Sequence, residues 1–344
     1  MSRAQLTSTV EQNTGGAVSP YVAGKNKIIN GDFGVWQRGT SISVAASTNA
    51  YTADRWFIST ATSQACTVSR QPTNDTTNLP FIQYCARVQR NSGQTGTGGL
   101  GFWQNMETVN SIPFAGKVAT ASFYARAGAN FSASGNNLTV IGAISGTGTD
   151  QNLASGYTGQ VNGGVTTATL TTTWQRFTVT ATIPTNATEL TFYTTYSPTG
   201  TAGANDYFEI TGVQLEAGSV ATPFTTATGT IQGELAACQR YYWRASVGAY
   251  NYLPGTGSGN TTTSVLMAFP LHQTMRVSPT SVDFSAICFW DGVAQSAVAT
   301  SAGIQSGNAD TVIIYFGVTS GITVYRPYLI LTNATGYIGL NAEL

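Results

Sequence analysis

Between residues 25 and 227 the chain alternates apolar and polar side chains in short runs, which are separated by clusters of Gly, Pro, Asn and Thr. The clearest runs are residues 66–70, 81–88, 118–125, 175–183 and 207–215. Period-two alternation of β-branched and aromatic residues is typical of strands that bury one face. Many such strands, without a long helical pattern, predict an all-β sandwich.

A helical pattern occurs at residues 230–244, where the apolar residues recur at spacings of four, three and four: Ile231, Leu235, Cys238 and Tyr242. This spacing places them on one stripe of a helix. The stripe is also a short heptad seam, which predicts an interface between copies of the chain. Packing of this helix against its own domain is the alternative, because two heptads are too few to distinguish the two arrangements.

Residues 245–344 form a second region of alternating character, which predicts an antiparallel β domain with strands near 263–269, 282–290, 311–318 and 323–332. Asp291-Gly292, with apolar residues on either side, is a tight hairpin signal. The sequence therefore predicts four segments: an extended arm at 1–24, a sandwich at 25–227, a helical connector at 228–244 and a β domain at 245–344.

Charge is scarce in this chain and evenly balanced. Only 9% of its 344 residues are charged, with 15 basic and 15 acidic side chains, against about 25% in ordinary soluble proteins. Without a basic stripe we expect no nucleic-acid partner, and without an apolar stretch of about 20 residues we expect no membrane insertion. The N-terminus lacks the apolar core of a secretory signal, so we expect synthesis in the cytoplasm with reduced thiols.

The four cysteines are widely spaced and match no metal-binding pattern: Cys66, Cys85, Cys238 and Cys288. Each lies among apolar neighbours, so a buried thiol is the favoured interpretation. A disulfide between Cys66 and Cys85 is the alternative, because the two predicted strands that carry them could pair.

Catalytic and cofactor motifs are not evident. His272 is the sole histidine, and no nucleophile elbow, P-loop or dinucleotide fingerprint follows a strand. We therefore predict no cofactor and no catalysis, although a pair of carboxylates would suffice for a glycosidase. Asn30, Asp32 and Glu209 could supply oxygen ligands to calcium, but Asn30-Gly31 reads better as a turn that Asp32 caps, so no metal is predicted.

The most informative stretch is residues 25–56, called here the opening phrase. It contains the segments NGDF (30–33), WQRG (36–39) and ADRW (53–56), and a closing phrase follows at residues 213–224 and 234–242. Together they resemble the carbohydrate-binding-module-like domain of bacteriophage tail fibre and minor structural proteins. The resemblance implies a jelly roll in a non-catalytic part of a homotrimeric virion surface protein, attached to other virion proteins through residues 1–24.

Aromatic residues beside loops are the best candidates for ligand contact: Tyr250, Tyr252 and Trp290. An oligomer interface is the alternative role for these rings. The function we expect is a tail fibre-like appendage that contacts host cell-surface polysaccharide. A capsid decoration, head fibre or tail adaptor with a structural role is the alternative, and a polysaccharide-trimming enzyme is a third possibility.

Overall fold

The computed structural model describes residues 24–247 and 252–344. The chain divides into two compact units: the first ends at Leu235 and includes Leu344, and the second comprises Ala236–Glu343. Antiparallel strands make up most of both units, which confirms the predicted all-β class. The predicted arm at residues 1–24 lies outside the described residues except for Gly24.

The first unit contains two six-stranded antiparallel sheets, with strands numbered in chain order. In order of pairing, the first sheet consists of β1 (Ser41–Val44), β4 (Cys66–Pro72), β5 (Tyr84–Arg90), β12 (Tyr207–Ala217), β7 (Val118–Ala127) and β10 (Gln175–Thr182). The second sheet consists of β2 (Asn49–Tyr51), β3 (Phe57–Thr60), β6 (Leu100–Met106), β11 (Glu189–Tyr196), β8 (Asn137–Gly146) and β9 (Val161–Thr169). From β6 to β8, and again from β10 to β12, successive strands alternate between the sheets, which confirms the jelly-roll sandwich.

Strand β6 shows how the alternation in the sequence builds the sandwich. Leu100, Phe102 and Met106 belong to the core between the sheets, where burying a side chain of this size contributes about 1.5–3 kcal/mol. The intervening residues, among them Gly101 and Trp103, lie on the outer face of the second sheet because successive side chains of a strand point to opposite sides. The core thus fixes which residues the outer face presents.

Several side chains of the opening phrase are buried inside the sandwich and hold its segments together by hydrogen bonds and ring contacts. Asn30 is fully buried; its Nδ2 donates to the carbonyls of Val35 (2.8 Å) and Asp54 (3.0 Å), and its Oδ1 accepts from the Val35 amide. The indole of Trp56 donates to the Asn30 carbonyl (3.0 Å) and stacks on Phe102 at 5.0 Å. These polar groups are satisfied inside the fold, so the phrase marks the architecture and not a ligand site.

Two α-helices occur in the described chain, α1 (Thr108–Ser111) and α2 (Ile231–Gln239). Neither is long and apolar enough to cross a membrane. At the start of α2 the Thr230 hydroxyl accepts a hydrogen bond from the Gly233 amide (3.0 Å), which is an N-cap contact. The helix is shorter than the predicted 230–244, because the chain turns after Gln239 and joins a strand.

The second unit is a single antiparallel sheet of seven strands. In order of pairing these are β13 (Tyr242–Val247), β19 (Pro327–Asn341), β14 (Tyr252–Thr261), β15 (Ser264–Pro270), β18 (Thr311–Val318), β17 (Gln295–Gly307) and β16 (Ser281–Trp290). Strand β16 also pairs with β19, so the sheet closes on itself around a separate core.

The Gly-rich segment at residues 253–260 is part of β14. A Cβ at Gly257 would lie 2.6 Å from the Leu266 carbonyl oxygen, and one at Gly259 would lie 2.2 Å from that of Thr323. The glycines are therefore there to let neighbouring backbones approach within the sheet.

The cysteines are free thiols and are buried. Strands β4 and β5 do pair, but Cys66 lies opposite Arg90 and Cys85 lies opposite Gln71, so the two sulfurs belong to different parts of the ladder. Burial raises the pKa of the Cys66 thiol to about 12, which keeps it protonated and unreactive at neutral pH.

Candidate functional site

A groove of about 500 Å³ lies on the outer face of the second sheet. The lining residues on which the following argument depends are Gly101, Trp103, Tyr193, Thr195, Gln160 and Asn162. Its floor comes from the central strands of the sheet, and the segment before β9 contributes one wall. The strand register explains why an open space exists at this place.

One row of residues across the sheet is aromatic. Tyr51 pairs with Phe57, Phe57 with Trp103, and Trp103 with Tyr193 in the registers of β2, β3, β6 and β11. Successive ring centroids are 4.9, 4.8 and 5.5 Å apart. Phe57 and Trp103 are buried, whereas Tyr193 is half-buried, so Tyr193 is the ring of the groove that is most open to a ligand.

The adjacent row, two residues along each strand, carries only small side chains. Gly101 pairs with Ser59 on one side and with Thr195 on the other. A Cβ on Gly101 would lie 2.8 Å from the Tyr193 hydroxyl oxygen and 3.1 Å from a ring carbon of Trp103. Glycine at this position therefore leaves space for the rings and creates the depression beside them.

On the other side of the aromatic row, residues 147–160, here called the strap, cover the sheet. The Tyr157 hydroxyl lies 2.6 Å from Thr191 Oγ1 and donates to Asn105 Oδ1 at 3.3 Å. Burial raises the pKa of the Tyr157 hydroxyl well above its ordinary value, so this group remains a neutral donor. The strap thereby forms a fixed wall of the groove.

A second set of contacts fixes the strap at its beginning. The Thr108 amide donates to Asp150 Oδ1 (2.9 Å), and the Asp150 amide donates to the Thr108 hydroxyl (2.8 Å). Glu189 Oε1 accepts from the Gln151 amide and from the Thr108 hydroxyl, both at 3.2 Å. Burial is the main reason that the pKa of Glu189 lies above its ordinary value, and nearby Asp150 raises it further.

The groove offers uncharged hydrogen-bonding groups. Gln160 and Asn162 are exposed, and Gln160 Nε2 donates to Asn162 Oδ1 at 3.2 Å, which leaves the Asn162 amide hydrogens available. The Trp103 Nε1 is buried and has no hydrogen-bond partner among the described residues. The site can therefore combine contact with a ring face and neutral donors and acceptors at its margin.

A cluster of charged residues lies on the outer face of the first sheet. There the buried Glu209 carboxylate binds Arg87 (2.6 Å) and Arg126 (2.5 Å). The guanidiniums of these two arginines also lie over the rings of Tyr207 and Trp174. On this face paired charges lie beside aromatic rings, whereas the groove of the second sheet is lined by uncharged residues.

The oxygen groups considered for calcium are engaged elsewhere. Glu209 is neutralised by two arginines, and the Asn30 side chain is bound to backbone groups of the opening phrase. Asp32 Oδ1 lies 3.4 Å from the Gly34 amide, as a turn-capping role requires. In the described residues no group of three or more His, Cys, Asp or Glu side chains could hold a metal.

The aromatic residues selected from sequence do not belong to this groove. Tyr250 lies outside the described residues, and for Tyr252 only the backbone, in β14, is described. Trp290 is half-buried at the end of β16, where Asp291 caps the following turn by accepting from the Val293 and Ala294 amides at 2.9 Å. A ligand role for these three residues stays a prediction.

The predicted interface stripe is partly exposed. Ile231 and Leu235 expose 57% and 38% of their surface, whereas Cys238 and Tyr242 are buried. Tyr242 belongs to β13 and its hydroxyl donates to Asp283 Oδ2 at 2.7 Å. An oligomer contact through these residues also stays a prediction.

Neither Trp103 nor Tyr193 is among the site residues predicted from the sequence. A signal was present, because Leu190 and Phe192 alternate with Thr191 and Tyr193. A tyrosine on the threonine-bearing face of a strand lies on the side away from the core.

Comparison with known proteins gives similarity at the level of the fold. No protein-family model matches the sequence, and no curated protein matches it. Among solved structures, a carbohydrate-binding module described as CBM4 is 21% identical, with a TM-score of 0.32 over 55% of this chain and 98% of the module. The enzymatically active domain of tailspike protein 4 from bacteriophage CBA120 is 14% identical, with a TM-score of 0.34 over 58% of this chain and 22% of that chain.

A Stig cyclase from Fischerella sp. TAU, solved with an indole derivative, also matches, with 14% identity and a TM-score of 0.35 over 58% of this chain and all of the cyclase. The prediction that this chain is not an enzyme is wrong as an inference from its fold and composition, because the similar structures include enzymes.

Proposed function

We propose that the groove of the second sheet binds an oligosaccharide, and that the protein presents this groove to a host cell as a tail fibre-like appendage of a bacteriophage virion. The observation that carries the first part is the half-buried ring of Tyr193, placed between the small residues of the groove floor and the exposed amides of Gln160 and Asn162. The resemblance carried by the opening and closing phrases supports the second part.

The chemistry of the groove suits a sugar ring. One face of a pyranose presents C–H groups, which pack on an aromatic ring, while its hydroxyls require donors and acceptors at the margin. Tyr193 supplies the ring, and the two amides supply the hydrogen bonds. Clefts that combine an apolar surface with a few polar groups are the usual form of small-ligand sites.

A single open groove of this kind binds weakly, so attachment to a cell would depend on several copies. Trimerisation would multiply the affinity through effective concentration. The exposed side chains of Ile231 and Leu235 support such an assembly, because they are apolar and uncovered in the single chain. Leu235→Asp should convert an oligomer to monomers in light scattering, and a monomeric wild-type protein at micromolar concentration would remove this part of the proposal.

Glycan binding is tested by screening the full chain against an array of oligosaccharides and measuring the affinity of each hit by calorimetry. Tyr193→Ala should weaken binding by about fivefold or more, since ring stacking contributes about 1 kcal/mol, whereas Tyr193→Phe, which keeps the ring, should retain most of the affinity. Tyr124→Ala, a half-buried tyrosine of the other sheet, is the matched control. Unchanged binding in Tyr193→Ala would place the site elsewhere, and product analysis of the same mixtures would reveal turnover.

The virion role is tested separately. Deleting residues 1–24 should give a folded protein that no longer joins the virion, and imaging of labelled particles should place the intact protein on the tail. Capsid labelling would favour a decoration protein, and normal incorporation of the truncated chain would refute attachment through this arm.

A further inference from the structure

The groove has an electrostatic property that narrows the class of its ligand. All 13 residues that line it are uncharged, and they include neither a lysine nor an arginine nor a carboxylate. In a chain with 15 basic and 15 acidic residues, this groove therefore lacks the groups that recognise ions.

Four arginines of this unit form contacts away from the groove lining. Arg87 and Arg126 bind Glu209 on the first sheet, and Arg90 is fully buried with Asp206 at 2.8 Å. Arg55 reaches the second sheet, but its guanidinium is buried and donates to the Asn105 carbonyl at 2.7 Å. None of these guanidiniums lines the groove, so an anionic group bound there would exchange water for neutral amides and hydroxyls only.

The hydrogen-bonding groups of the groove suit neutral hydroxyl groups better than anions. Asn162 and Gln160 carry both donors and acceptors, and Thr195 donates its hydroxyl to the Leu100 carbonyl (2.9 Å), which leaves its oxygen as an acceptor. The indole N–H of Trp103 is buried and has no hydrogen-bond partner among the described residues. Sugar hydroxyls, which donate and accept, match such a set, whereas carboxylates and sulfates only accept.

We infer that the ligand is a neutral oligosaccharide, and that uronic acids, sialic acids, sulfated sugars and phosphate-bearing glycans are excluded from the groove. This inference rests on the proposed glycan binding. Losing hydration without gaining a counter-charge is unfavourable for an anion, so discrimination comes from the missing cation and not from a steric barrier. Because no charge pair forms, binding should be almost independent of salt.

The experiment uses the full chain and pairs of glycans that differ in charge alone. Each neutral oligosaccharide that binds is compared with the same chain oxidised at C6 to the carboxylate, at about 0.05 M and about 0.5 M NaCl. We expect the neutral form to bind with less than about a twofold effect of salt, and the oxidised form to bind at least about tenfold more weakly.

A charge-gain variant tests the cause. Asn162→Lys places an ammonium at the groove wall at an exposed position, so the fold should tolerate it. It should recover binding of the oxidised glycan in a salt-dependent manner, whereas Thr169→Lys, on the same strand but outside the groove lining, should not. Thermal unfolding of both variants checks that the fold is intact.

The outcomes separate this inference from the proposed function. Equal or tighter binding of the oxidised forms by the wild-type protein would overturn neutrality while leaving glycan binding in place. No binding of any neutral or acidic glycan would overturn the proposed function itself. Recovery by Thr169→Lys as well as by Asn162→Lys would show that the added charge acts outside the groove, and would also overturn the inference.

Discussion

Gly101 is the residue whose substitution should most directly test how the groove is built. An alanine Cβ at this position would lie 2.8 Å from the Tyr193 hydroxyl oxygen, about 0.6 Å closer than the 3.4 Å at which ordinary contacts begin. It would also lie 3.1 Å from a ring carbon of Trp103, which is buried and cannot retreat easily. The half-buried Tyr193 must therefore turn away from the floor.

The expected cost is about 1 kcal/mol to folding and about 1 kcal/mol to binding. Overpacking in a closed core costs about 1–3 kcal/mol, and we expect about 1 kcal/mol here because the far end of Tyr193 can move. Loss of the ring as a stacking surface removes about 1 kcal/mol of binding free energy, which corresponds to about fivefold in Kd. Urea unfolding and calorimetric titration with the glycan found in the array measure the two effects.

Gly99→Ala is the matched control, because its Cβ would meet its nearest atoms, in Tyr196, Ser197 and Thr195, at 3.7–3.8 Å. It adds a methyl group to the same groove without displacing a ring. Replacing a glycine that has a compatible backbone conformation stabilises the folded protein by about 0.4–1 kcal/mol, because the unfolded chain loses conformational entropy. If both alanine variants unfold alike and bind alike, the register argument for the groove is refuted.

Three further substitutions test side-chain contacts that stabilise the fold. Glu189→Gln should gain stability relative to the wild type as pH rises above about 4.5, which is the pKa of Glu189 in the unfolded chain. The pKa of Glu189 is higher in the fold, so the ionisation of this side chain destabilises the wild-type protein. Denaturation curves of the two proteins that stay parallel as pH changes would contradict this. Glu234→Ala should lose about 2–4 kcal/mol in urea unfolding, because the buried Glu234 accepts from the Asn30 amide (2.7 Å) and from the amide and hydroxyl of Thr228. Tyr157→Phe should lose about 1 kcal/mol and open the strap to proteolysis, since the contact with Thr191 disappears; an unchanged cleavage rate would show that the strap is held by other contacts.

The parts of the fold that depend on local pattern could be predicted from the sequence. The alternation at residues 175–183 became β10, and that at 207–215 became β12, since in each case one face of the strand enters the core. The helix was predicted at the right place but too long. Tyr242 continues the helical spacing, yet its backbone pairs with Asn341 in β19, and this long-range pairing decides its conformation.

The groove could not be predicted, because it is a property of register between distant segments. Phe57, Trp103 and Tyr193 form one row only after β3, β6 and β11 have paired, across sequence separations of 46 and 90 residues. A shift of one residue in any of these strands would turn its ring into the core. Loop position, which drew attention to Tyr250, Tyr252 and Trp290, carries no information about such rows.

The closure of the second unit limits the strand edges through which copies of this protein could aggregate. A chain with 9% charged residues has little charge repulsion to keep copies apart, and unpaired strand edges are the usual templates for aggregation. Each strand from β14 to β18 pairs with two neighbours, and β19 pairs with three. Among the described strands of this unit the free edge therefore falls to β13, which is six residues long and carries Arg244. Closure thus gives the second unit a protection against strand addition that other proteins obtain from surface charge.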